Sequence, residues 1–240
     1  IKETSGVELD TNMVFDVQVK RFHAYKRQLL NVFKVLDVYN RMLNDPSYSP
    51  RPTAFIFSGK AAQSYTFAKE VIRLINSVAD VINSDERVND KIKVAFVPNF
   101  AVSNAQLIYS AAEISEQISV AGAEASGTSN MKLMMNAAIT LGTLDGANIE
   151  ISELVGPENI KIFGLHADEV EALRAPAATT PGTCTTATAT TSVASSTCSP
   201  MARWRASRAT STASTTTSWS TTTRIWSCAT STPTSRRGTS

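Results

Sequence analysis

Residues 1–174 contain no cysteine; Cys184, Cys198 and Cys228, the three in the chain, all come later. The first 174 residues therefore have neither a disulfide framework nor a thiolate metal site. Histidine is nearly as scarce, and His23 and His166 lie too far apart to form a metal-ligand spacing. No apolar run reaches the roughly 18–20 residues of a membrane span, and Ile1 does not open a signal peptide. The expected setting is soluble, reducing and cytoplasmic, with no membrane partner. After Arg174 a different absence appears: Ala175 to Ser240 has no Asp, Glu or Lys.

Charge divides the chain at the same place. All 21 acidic and 17 of the 23 basic residues lie in 1–174, which carry a formal −4. The remaining six are Arg203, Arg205, Arg208, Arg224, Arg236 and Arg237, so the whole-chain excess of +2 belongs to the tail and gives no reason to expect a nucleic-acid partner. The body is long enough for one domain of ordinary size.

Apolar periodicity predicts alternating helices and strands. Phe22, Tyr25, Leu29, Phe33, Leu36, Tyr39 and Leu43 recur at three- and four-residue steps, predicting one long amphipathic helix. Ala54–Phe57, Lys93–Val97, Ile114–Val120 and Ile160–Phe163 read as short buried strands. Helices are predicted along Phe67–Ile82, Asn104–Ala112, around Lys132 and over Ala167–Arg174, with Leu141–Asn148 as a turn-rich link. The alternation implies a parallel sheet with helices on both faces, an α/β, Rossmann-like arrangement. Ligands of such sheets bind at the strands' carboxyl ends, where the turns at Gly59, Asn99 and 122–129 are expected.

Two segments carry the chemistry. Glu124–Ile151, EASGTSNMKLMMNAAITLGTLDGANIEI, sets Lys132 just past a small Ser-Gly-Thr-Ser turn. A helix start offers unpaired N–H groups to a phosphate, and a lysine one turn on can reach an aldehyde tethered to that phosphate. That makes Lys132 a candidate Schiff-base residue for pyridoxal 5′-phosphate. Without further information the plainer reading is a capped helix with an exposed lysine. Phe15–Asn31, FDVQVKRFHAYKRQLLN, places Lys20 and Arg21 together, with Lys26 and Arg27 soon after. Such cations can hold a phosphate dianion or mark a solvated basic helix start.

Both segments resemble the glycogen (α-glucan) phosphorylases, and the likeness runs from about Phe15 to Arg174. The resemblance implies the C-terminal lobe of a two-lobed GT-B glycosyltransferase fold, with pyridoxal 5′-phosphate on Lys132 as a Schiff base. It implies that Lys20, Thr128 and Ser129 hold the cofactor phosphate, while Arg21 and Lys26 bind substrate phosphate. Glu124, Ala125, Ser126 and Gly127 would grip glucosyl hydroxyls. The implied reaction uses orthophosphate to release glucose 1-phosphate from an α-1,4-glucan (glycogen, starch or maltodextrin), in an enzyme expected to be a homodimer. Lys132, Lys20, Arg21 and Lys26 are its implied catalytic set.

Three positions depart from the family pattern. Ser129 stands where many members have Gly, Phe100 where many have Tyr, and Ala137 where Gly is common. Ala137 is expected to strengthen the Lys132 helix.

Residues 175–240 form a Ser/Thr/Ala/Arg tail that reads as out-of-frame translation. Shifting the frame by one nucleotide lets Thr179–Thr183 encode YNPWD and Trp226–Thr234 encode MVLRDFDAY, both like the phosphorylase continuation. As written, the tail is expected to be disordered. The family's N-terminal lobe is expected to be missing before Ile1, leaving a fragment inactive by itself. Two other readings stand beside this one: a nucleotide-sugar GT-B glycosyltransferase, which would lack the cofactor lysine, and a non-catalytic carbohydrate- or cofactor-binding fragment.

Overall fold

Asp16, Val17, Gln18 and Val19 are buried in succession, the pattern of a strand covered on both faces. They belong to β1 (Val14–Val19), at the middle of a six-stranded parallel sheet in a computed structural model that describes residues 1–175. The other strands are β2 (Thr53–Ser58), β3 (Ile92–Val97), β4 (Ile114–Gln117), β5 (Ile139–Gly142) and β6 (Ile160–Ile162). Their spatial order is β3-β2-β1-β4-β5-β6. The helices are α1 (Lys2–Ser5), α2 (Gln28–Asn44), α3 (Thr66–Ser84), α4 (Val102–Ala111), α5 (Ser129–Met135), α6 (Asn148–Val155) and α7 (Ala167–Arg174). The expected parallel α/β architecture is therefore present. Expectations for the tail beyond Ala175, including its cysteines and reading frame, fall outside the described residues.

Side-chain alternation assigns the two sheet faces. Val17, Val19, Ile56 and Val97 pack with Ile108 of α4 and Leu133 of α5 in one buried cluster. On the opposite face, Asp16 and Gln18 meet α2. Lys34 pairs with Asp16 at 2.5 Å, and Asn31 Nδ2 donates to Gln18 Oε1 at 3.0 Å. The Lys34 ammonium also lies over the Phe55 ring. Neighbouring residues of one strand thus point to opposite layers, as the two-residue strand period requires.

Two strands and a helix differ from the periodicity reading. The polar Asp16 and Gln18 break the apolar run of β1, so the strand was hidden until α2 supplied their partners. Gly142 and Gly146 made 141–148 look like turn alone, whereas β5 ends at Gly142 and α6 begins at Asn148. Gly142 is pressed into the sheet: a Cβ there would lie 2.7 Å from the Gln117 carbonyl oxygen.

The predicted helix from Phe22 starts later. Ala24–Lys26 form a short 3-10 turn, and Arg27 has φ 56 before α2 begins at Gln28. A left-handed conformation is uncommon for a residue with a Cβ. Here the Arg27 guanidinium explains it by reaching the Ile118 carbonyl at 2.5 Å and that of Ser119 at 3.4 Å. The break ties the loop after β1 to the loop after β4.

Candidate functional site

From β1 the chain adds β2 and β3 on one side, then returns to place β4 on the other. This order creates a switch point between β1 and β4, where loops diverge at the carboxyl ends of adjacent strands. The turns at Gly59, Asn99 and 122–129 all follow carboxyl ends, as expected. Lys20 leaves β1 with its N–H on the Ser58 carbonyl at 3.0 Å, and Phe22 N–H reaches that of Lys60 at 3.0 Å. Gly59 permits this approach, because a Cβ there would overlap the Lys20 carbonyl oxygen. His23 packs against the Tyr25 and Tyr65 rings, with centroids 4.6 and 5.1 Å away.

The switch point joins residues nearly a hundred positions apart. Lys26 Nζ lies 2.7 Å from Glu124 Oε2, and Ser119 Oγ donates to the same oxygen at 3.1 Å. Burial would raise the Glu124 carboxyl, but the Lys26 contact, the Lys20 charge and the Ser119 hydroxyl outweigh it and hold the pKa low. Burial pulls Lys20 down to about 8, with Glu124 and Asp145 opposing the shift and Lys26 adding to it. Among the described residues the Lys20 ammonium has no hydrogen-bond or ion-pair partner. A partly desolvated cation without a direct ion pair is costly, so this seat favours an anion.

Arg21 is exposed and turns its backbone inward, its carbonyl accepting from Gln28 Nε2 at 2.9 Å. Its guanidinium, like the Lys132 ammonium, lacks an ion-pair partner among the described residues. Lys132 is exposed on α5, and its N–H donates to the Thr128 carbonyl at 3.2 Å. Thr128 occupies the N-cap of α5 without a side-chain capping bond. Ser129 is buried, its Oγ accepting from Gln117 Nε2 at 3.4 Å. Ala125 and Ser126 are exposed and Gly127 is half-buried with φ 86.

Ala137 corrects an expectation. It stands outside α5, at φ 65 beyond the C-cap Asn136. Ala138 N–H reaches the Leu133 carbonyl and Ala137 N–H that of Met134, both at 3.0 Å. These are the two bonds of a Schellman motif, and Ala137 occupies its left-handed position, where glycine is favoured. Alanine there strains the helix end instead of strengthening the helix. Phe100, half-buried, packs its ring against the apolar cluster.

The residues that hold this arrangement were not singled out from the sequence. Asp145 accepts from the N–H groups of Gly122 at 2.9 Å and Glu124 at 2.8 Å. Asn148 Oδ1 accepts from Asn130 Nδ2 at 3.0 Å, while Asn148 Nδ2 reaches the Thr143 and Gln117 carbonyls at 3.0 and 3.3 Å. Their signal lay in the Asp-Gly-Ala-Asn turn, where an acid and an amide flank residues that let backbones approach.

The model of the carbohydrate phosphorylase family matches residues 1–202. Over 174 residues the chain is 59% identical to glycogen phosphorylase of Haemophilus influenzae, covering 72% of this chain and 21% of that protein. It is 56% identical to the Bacillus subtilis glycogen phosphorylase over 167 residues, covering 70% of this chain and 21% of the relative. The liver form of human glycogen phosphorylase is 53% identical over 167 residues, 70% of this chain and 20% of the human protein. The chain thus spans about a fifth of the length of these relatives. With a parallel sheet, a cationic switch point and a family match over most of its length, the chain belongs to the carbohydrate phosphorylases.

Proposed function

We propose that residues 1–175 form the phosphate- and cofactor-binding side of an α-1,4-glucan phosphorylase site. The observation that carries this reading is the meeting of Lys20, Lys26 and Glu124 at the switch point, in the loop that leads to Lys132. The residue set suits pyridoxal 5′-phosphate: Lys132 offers an exposed amine, and Lys20 a partly buried cation lacking a direct ion pair among the described residues. In this reading Lys132 carries the cofactor covalently, while Lys20, the Thr128 hydroxyl and the backbone at Ser129 hold its phosphate. When bound, the cofactor supplies a phosphate group able to exchange a proton with a substrate phosphate.

Arg21 and Lys26 would bind orthophosphate, the guanidinium as a planar fork and the ammonium as a point charge. Glu124 would accept hydrogen bonds from glucosyl hydroxyls, with the backbone of Ala125, Ser126 and Gly127 completing the grip. Cations around the two phosphates would offset their repulsion as positive charge develops on the sugar. The product would be glucose 1-phosphate. A cytoplasmic setting and a homodimeric enzyme belong to the same proposal; no described helix is long and apolar enough to cross a membrane.

Borohydride reduction of the 240-residue chain with pyridoxal 5′-phosphate, followed by peptide mapping, tests the reading. The pyridoxyl label is expected on Lys132 and absent from Lys132→Ala. Labelling spread over the other exposed lysines, or none at all, would overturn it.

A further inference from the structure

We infer that Asp145 is a positioning residue: its two carboxylate oxygens fix the loop after β4 and thereby aim Glu124 at Lys26. The inference rests on the proposed role of Glu124 in gripping sugar hydroxyls and adds what sets its direction. Asp145 is buried, with Oδ1 taken by Gly122 N–H at 2.9 Å and Oδ2 by Glu124 N–H at 2.8 Å. An ionised carboxylate is acceptor-only, so it can satisfy two converging N–H groups with charge-assisted bonds.

The neighbouring turn residues act on the same loop. Ala147 N–H donates to the Ser126 carbonyl at 2.8 Å. Gly146 has φ +54, and a Cβ there would lie 2.5 Å from the Ser126 oxygen and 3.0 Å from the Glu124 oxygen. The loop is therefore moulded onto the turn along Gly122–Ser126, with Glu124 at the centre. Its side chain is left to meet Lys26 and Ser119. Among the described residues no other hydrogen bond holds the Gly122 and Glu124 N–H groups.

The test separates positioning from simple charge. Lys20, Lys26 and the Ser119 hydroxyl are the groups that act on the Glu124 carboxyl, while Asp145 holds its backbone N–H and acts on Lys20. Removing the Asp145 charge alone would lower the Glu124 pKa further, because a nearby negative charge is lost. Losing the Lys26 contact would do the reverse. In Asp145→Asn, carboxyl-detected NMR of the 240-residue chain is expected to show Glu124 titrating higher than in the wild type, back toward the ordinary carboxylate range. A shift in the other direction, or none, would overturn the inference.

Should Asp145→Asn fail to fold, the wild-type chain still decides the matter. The Gly122 and Glu124 amide protons are expected to exchange slowly with solvent, held by the Asp145 carboxylate, and amides that exchange as freely as those of an open loop would sink the proposal. Labelling of Lys132 tests the functional reading separately: a labelled wild type with an unmoved Glu124 rejects Asp145's role alone.

Discussion

At the residue scale, the positions that mattered most were those whose conformation or charge was set by distant groups. Ala137 is the clearest. An L-residue in the left-handed region costs about 1–2 kcal/mol, whereas glycine gives back part of that through its looser unfolded chain. Ala137→Gly is therefore expected to stabilise the protein by roughly 0.5–1 kcal/mol, read from urea unfolding. Lys20 shows the same dependence on surroundings. Resemblance made it a candidate phosphate ligand, but its depressed basicity arises from burial in the folded chain. Lys26 and Glu124 were each legible as separate candidates. Their 2.7 Å contact was not, because it spans 98 positions and depends on β1 lying beside β4.

At the element scale, β1 and α2 share a buried ionic seam. The Lys34 ammonium is set between Asp16 of β1 and Glu116 of β4, and all three side chains are buried. Burial pushes Glu116 up to about 7, with Lys34 opposing and Asp16 adding to the shift. For Lys34, burial is outweighed by the two carboxylates, and its pKa rises. Asp16 Oδ1 has no donor partner among the described residues, and the raised Glu116 carboxyl is the neighbouring group that could carry a proton here.

The folded state thus holds the Glu116 proton more tightly than the unfolded chain, whose value is 4.5. Stability from this group is full below about 4.5 and declines as pH rises through about 7. Glu116→Gln keeps the shape and offers a permanent N–H donor. Chemical unfolding across pH 5 to 8 is expected to show a flatter stability profile in Glu116→Gln than in the wild type; parallel profiles would contradict this account. The same seam explains what periodicity could not reveal. A strand containing Asp and Gln looks like surface until the helix carrying Lys34 and Asn31 is placed upon it. Long amphipathic α3 had no such disguise: its buried Val71, Ile75, Val78 and Ile82 repeat at helical spacing, and its extent agrees closely with the sequence reading.

At the scale of the whole molecule, strand order makes the candidate site. The sheet brings two sequence segments, each suggestive on its own, to one switch point, where Lys26 pairs with Glu124 and the Lys20 ammonium has no direct ion pair among the described residues. Alternating elements made the sheet's parallel character legible, but the periodicity did not specify which strands are neighbours. The Asp145–Asn148 turn was similarly silent, since it acts on the loop's backbone and exposes no reactive group of its own. The proposed role of this switch point is that of a phosphate seat serving Lys132.

Its most direct measurement compares loading of Lys132 by pyridoxal 5′-phosphate with loading by pyridoxal, which has the same aldehyde and no phosphate. The wild-type chain is expected to prefer the phosphorylated compound strongly. Lys20→Ala should reduce that preference by about ten- to a hundredfold, the worth of one hydrogen bond to a charged group at roughly 1.5–3 kcal/mol. In the wild type the preference should also weaken above about pH 8, as Lys20 loses its proton. Equal loading by the two aldehydes, or a preference unchanged in Lys20→Ala, would contradict the account.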